Sequence, residues 1–224
     1  MALRPARPAP APERTPILPA SALLEAATVE RLHAASGSSA THFDAVYRPL
    51  LHAVAEYLQQ LPDPAQPAIT GLDARLHTAA TALRRRRGRL LPPGAPAERL
   101  AQDADLWTYA VFSLALLRRL GPAVTAWRIT LWSAQDEPLG VWRLWDTPRG
   151  LARVPRAAAY QAQPALHPPR ADATPLLVGA LMPPAGLHWL WRAPVVLDAW
   201  RGALYAPAWP ALFAPLFSEP GASL

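Results

Sequence analysis

Apolar residues recur at helical spacing through most of the first half of the chain. Ser21 opens a predicted helix reaching about Ala35, with Leu24, Ala27, Leu32 and Ala35 on one face and Gly37 ending it. A second helix is predicted from about Thr41 to Leu61, where Phe43, Val46, Tyr47, Leu50, Leu51, Val54 and Leu58 follow i, i+3, i+4, i+7 spacing. Thr41 and Asp44 have the spacing of a capping box, and Pro49 is expected to kink this helix. Leu72, Leu76, Ala79, Ala80 and Leu83 mark a third helix that runs into Arg84, Arg85, Arg86 and Arg87 before Gly88. Cations in a last turn face the negative end of the helix dipole, so the run is a C-terminal signal. A fourth helix is expected from Ala97, with a bend near Asp105, through Trp107, Ala110, Val111, Leu114 and Leu117 to a stop at Arg118-Arg119-Leu120-Gly121-Pro122.

At Ala126 the period changes to two. Trp127, Ile129 and Leu131 alternate with Arg128, Thr130 and Trp132, and after a polar turn Leu139 to Trp145 returns as a second strand, giving one β-hairpin. Residues 146–170 show no usable periodicity, whereas Thr174 to Met182 and Pro194 to Tyr205 read as two further helices. The pattern predicts a mainly α fold with one inserted β-hairpin. The expected organisation is a Pro/Ala-rich tail over 1–14, a domain over 15–205 and a proline-interrupted tail over 206–224 that continues no helix.

Composition changes this picture mainly by exclusion. With 224 residues and 51% hydrophobic content the chain can bury a real core, and its 28 prolines cluster at tails and connections. All 22 basic residues are arginine, because the sequence contains neither lysine nor cysteine. A phosphate-binding P-loop, a Schiff-base lysine, thiol catalysis and cysteine zinc sites are thereby excluded in their usual forms. The arginine bias reflects a GC-rich genome before it reflects function. Met1 to Pro19 lacks an apolar signal core, and the longest strongly apolar stretch, Leu106 to Leu117, is shorter than the roughly 18 residues that span a bilayer. The expectation is a cytoplasmic protein with no membrane partner.

The histidines, His33, His42, His52, His77, His167 and His188, include no pair at the three-to-five-residue spacing of a simple zinc site. No G-x-S-x-G elbow, G-x-G-x-x-G loop or HExxH helix occurs. Asp103 with Asp105 and Asp136 with Glu137 lie in polar stretches where a solvated face or turn accounts for them. No complete catalytic or metal-binding set is present, no cofactor is expected, and the chain is expected to act by binding.

An ordered series of segments resembles one family. Thr15-Pro-Ile-Leu-Pro-Ala, His42-Phe43-Asp44-Ala45-Val46-Tyr47, Ala82 to Ala95 across the arginine run, Trp107-Thr108-Tyr109-Ala110-Val111-Phe112 and Pro138-Leu139-Gly140 together resemble the N-terminal domain of MobH-type, TraI-like relaxases of integrating conjugative elements. The resemblance covers residues 15–205 and implies an HD-domain-like helical core whose histidines and aspartates hold metal beside a DNA phosphodiester. It also implies that those ligands are lost here. Where the family has an Asp-His pair, this chain has Asp73 and Ala74; where it has a His-Asp pair and then a lysine, this chain has Arg118, Arg119 and Pro122. A guanidinium carries permanent charge and offers no electron pair to a metal.

The expected function is therefore a degenerate, non-catalytic relaxase-type domain of a conjugative or integrative element, binding DNA or conjugation and mobile-element proteins. The net charge of +6 and the group Arg75, Arg84, Arg85, Arg86, Arg87 and Arg89 could neutralise phosphates, or simply cap and solvate a helix end. The alternatives are a protein-interaction module built on a tryptophan-rich C-terminal half and an active metal-dependent phosphodiesterase with unusual ligands.

Overall fold

The computed structural model describes residues 13–144 and 150–218. It is mainly α-helical with a small antiparallel sheet, as the apolar periods predict. Strand β1 (Thr15–Pro16) leads into α1 (Ala20–Leu23) and α2 (Ala26–Ser36). The single helix expected over these residues is broken because Leu24 leaves helical geometry at φ −107°, ψ 107°. Leu24 lies five residues before Val29, which at about 100° per residue puts the two on nearly opposite faces of one helix. The break lets both be buried.

The next helix differs in the same instructive way. Its N-cap is Ser39, whose hydroxyl accepts from the His42 N–H, in place of the expected Thr41–Asp44 box. Short α3 (Ala40–His42) passes into a π-helical turn (Phe43–Tyr47) and then α4 (Arg48–Leu58). Proline lacks an N–H and its ring would strike the carbonyl four residues back in an uninterrupted α-helix. The wider turn, closed by the Arg48 N–H on the Phe43 carbonyl, instead sets Pro49 into the first turn of α4.

Helices α5 (Gly71–Arg87) and α6 (Ala97–Leu117) pack against each other at the centre. Thr70 caps α5, accepting from the Asp73 N–H at 3.0 Å and donating to the Asp73 carboxylate at 2.7 Å. No break interrupts α6 at Asp105, and every residue from Tyr109 to Leu117 is buried, so this helix is covered on all sides. Its buried Ser113 hydroxyl donates to backbone carbonyls and accepts from the Trp200 indole at 2.9 Å. The expected stop at Arg118–Pro122 is a corner only: Arg119 takes a left-handed conformation (φ 56°), and α7 (Leu120–Thr125) follows with Pro122 inside it.

The sheet is larger than the hairpin expected. Its order is β1-β4-β2-β3, all antiparallel, with β2 at Trp127–Ser133, β3 at Pro138–Val141 and β4 at Ala157–Pro164. β3 ends short of the expected return because Trp142 is buried against Tyr57; Trp145 lies outside the described residues. β4 falls in the stretch without periodicity. Its Ala-Ala-Ala-Tyr-Gln-Ala-Gln-Pro sequence has too few large apolar residues to alternate, yet it pairs with β2 from Trp127↔Pro164 to Ser133↔Ala157.

The remaining helices are α8 (Thr174–Leu181), α9 (Pro184–Trp191), α10 (Pro194–Tyr205) and α11 (Ala214–Phe217). The segment after Tyr205, expected as a tail, contributes Phe213 and Leu216 to the core. Prolines start these helices rather than stop them, because the first turn needs no N–H from them. Of the N-terminal tail, residues 1–12 lie outside the described residues, whereas Arg14 pairs with Asp136 and covers the Trp132 ring.

Candidate functional site

The motif positions lie on neighbouring elements. Asp73 and Ala74 sit in the first turn of α5, Arg118 and Arg119 at the end of α6, and Pro122 in α7. Arg75 joins the first two groups, its guanidinium directed at the carbonyls of Arg118 (3.5 Å) and Arg119 (3.3 Å). The exposed Asp73 carboxylate accepts from the Thr70 hydroxyl. Burial lowers the Arg75 guanidinium to about 10, partly opposed by the Asp63 charge.

Arg118 has an extensive set of partners. It is 7% exposed. Its guanidinium donates to the Ala203 carbonyl at 3.0 Å and the Ala206 carbonyl at 2.8 Å, which closes the C-terminal end of α10. Its face lies 4.0 Å from the Trp209 ring centroid, and Trp209 stacks in turn on Phe217 at 3.9 Å. The segment after α10 thus folds over this position. Desolvation, then the neighbouring Arg119 charge, pulls the Arg118 guanidinium below its ordinary value. A metal does not fit here: the nearest group is a fixed cation, and among the described residues no three His, Cys, Asp or Glu side chains converge.

The arginine run also turns largely inward. Arg85 donates to the carbonyls of Leu216 (3.1 Å) and Ser218 (2.7 Å), and Arg87 to those of Ala34 and Ala35 at the end of α2. Arg86, 8% exposed, reaches the Ala104 carbonyl of α6 at 3.1 Å and the Arg89 carbonyl. Burial lowers its guanidinium, with Asp105 and Tyr47 opposing. Orphan carbonyls at helix ends need donors, and a five-donor fork serves several at once. Arg84 and Arg89 are exposed, Arg84 touching only the Thr81 hydroxyl among the described residues.

A second arrangement escaped the sequence reading. A shallow pocket of about 300 Å³ is lined by His42, Val46, Ala185, His188, Trp189 and Arg192. His42 meets Trp189 edge-on at 4.4 Å, and Trp189 lies 5.5 Å from Tyr109. α9 approaches Tyr109 at Gly186, where a Cβ would collide with the Tyr109 hydroxyl. The isolated histidines gave no spacing signal because their partners arrive from an element more than 140 residues away.

Residues 18–206 match the TraI_2 family model, whose description is "Putative helicase". The chain belongs to this TraI family. No curated protein matches it. The match spans most of the segment over which the resemblance was drawn, from just before α1 to the end of α10. The lysine of a helicase P-loop has no counterpart anywhere in this TraI-family chain. No helix among the described residues is long and apolar enough to cross a membrane. Of the nine tryptophans, Trp107, Trp142 and Trp200 fill the core, Trp145 lies outside the described residues, and Trp191 is strongly exposed at 68%.

Proposed function

We propose that this TraI-family domain is a non-catalytic, degenerate relaxase-type module, related to MobH-type proteins of integrating conjugative elements, that holds DNA during transfer rather than cutting it. The observation that carries the reading is Arg118. Where the resembled family places a ligand histidine, this chain has a guanidinium held by the Ala203 and Ala206 carbonyls at the end of α10 and stacked on Trp209. Replacing a ligand by a cation would repel a metal, and a site so covered leaves no room for a phosphodiester. The exposed Arg84 and Arg89, with the net charge of +6, favour nucleic acid as the partner.

Metal analysis of the purified chain and nicking of supercoiled DNA test the catalytic part. Substoichiometric Mn, Fe, Zn and Mg with intact plasmid is expected. One ion per chain with nicking that chelation abolishes would overturn the reading. Binding to duplex and single-stranded DNA across salt concentrations tests the rest; no salt-dependent binding to either would sink it. A protein partner is a second reading, favoured by exposed Leu187 and Trp191, one turn apart on α9, and exposed Val195 at the start of α10.

A further inference from the structure

Three independent features meet at the His42–Trp189 pocket. The first is the π-helical turn, Phe43–Tyr47, which follows His42 directly and contributes Val46 to the wall. Single π turns within α-helices are rare and recur at functional sites, and this one also accommodates Pro49. The second is His42 Nε2, which is shielded from solvent and has no hydrogen-bond partner among the described residues. A buried polar nitrogen left unpaired is expensive unless something accepts or donates there. The third is chemical composition: an indole, two imidazoles and the guanidinium of Arg192, with no carboxylate among the lining residues. Arg192 is exposed and has no ion-pair partner among the described residues.

We infer that this pocket binds one nucleotide unit, a heteroaromatic ring against Trp189 with its phosphate at the His188–Arg192 edge. An indole face and a neighbouring fixed cation are the pair of features by which proteins hold nucleotides without reading sequence. At about 300 Å³ the space sits at the lower end of ligand pockets, suited to one nucleotide rather than a larger ligand. Its rigidity comes from packing: Gly186 lets α9 close on Tyr109, and Tyr109 in turn backs Trp189. The inference deepens the DNA-binding reading by naming where a nucleotide would sit.

The test is an NMR titration that follows the tryptophan indole N–H signals, with that of Trp189 assigned by its loss in Trp189→Phe. The probes are dTMP, thymidine, inorganic phosphate and a short single-stranded oligothymidylate. dTMP is expected to shift the Trp189 signal, and thymidine and phosphate to bind roughly tenfold more weakly or worse, since each lacks one of the two contacts. Arg192→Gln should weaken dTMP by roughly tenfold, whereas Arg201→Gln, the same charge change on α10, should not. Melting curves verify that each variant is folded. A shift of the same signal by oligothymidylate assigns the site to a strand, and a shift by dTMP alone assigns it to free nucleotide; both support the inference. An unmoved Trp189 signal, equal binding of phosphate and dTMP, or equal losses in the two arginine variants would overturn it. Oligothymidylate binding that leaves Trp189 untouched would reject this pocket while DNA binding itself survives.

Discussion

At the end of α5 and at Arg118, guanidiniums point into the protein and close carbonyls of α2, α10 and α11; at the end of α9, Arg192 meets no such partner among the described residues. The two regions have the same residue type at the same place in a helix. What separates them is the supply of unsatisfied carbonyls from other elements. Where such ends converge, arginine becomes a structural fastener, and its positive charge says little about an anionic partner. Where they do not, the charge is available.

The largest expected effect lies on the inward side. Arg118→Ala uncovers two carbonyls and the Trp209 face at once, and should cost about 2–4 kcal/mol in urea unfolding. Arg119→Ala, on an exposed neighbour, should stay within about 0.5 kcal/mol. Equal costs would show that burial at Arg118 does not matter and would erase the contrast between the two regions. Lysine should rescue Arg118 poorly, because a point charge cannot span both carbonyls and stack.

The outward side depends on a close approach. Gly186→Ala should destabilise by about 1–3 kcal/mol, since the Tyr109 hydroxyl must move to admit a methyl group. The same shift should disturb the Trp189 environment, read by its indole N–H signal, and leave the region around Trp209 unchanged. A stable variant with an unaltered Trp189 signal would mean that α9 is not braced as described.

Arg85→Ala is a milder case, removing one side chain and its bonds to Leu216 and Ser218. A loss of about 1–2 kcal/mol is expected, together with faster hydrogen exchange confined to the last helical turn, α11. Unchanged exchange there would show that Phe213 and Leu216 hold the segment without help.

The sequence made some of this legible and hid the rest for identifiable reasons. α5 and α10 follow from apolar spacing between recognisable ends, and α6 from its long apolar run. β4 was hidden because alanine gives a strand no alternation to detect, and α9 and α11 because proline reads as a break until the helix it starts is known. At the motif positions, the arginines Arg118 and Arg119 were visible. The Trp209–Phe217 cover over Arg118 was not, since it joins residues about ninety positions apart. The pocket at His42 was equally hidden, as no local pattern announces that a π turn and a distant helix will meet.

The smallest change in stability carries the sharpest functional contrast. Arg84, Arg87 and Arg89 are exposed, but Arg87 is held by the Ala34 and Ala35 carbonyls, so Arg84→Gln with Arg89→Gln is the pair that should alter folding by no more than about 0.5 kcal/mol. If they contact phosphates, each lost contact removes about 0.9 counterion from the exchange, and the log–log salt slope for duplex DNA should shrink by up to about two. Arg85→Ala should leave that slope intact, because its guanidinium is already occupied by carbonyls. Measuring both variants at several salt concentrations separates the roles. A slope that falls for Arg85→Ala but not for the double variant would reverse the assignment and make the inward-facing end the DNA contact.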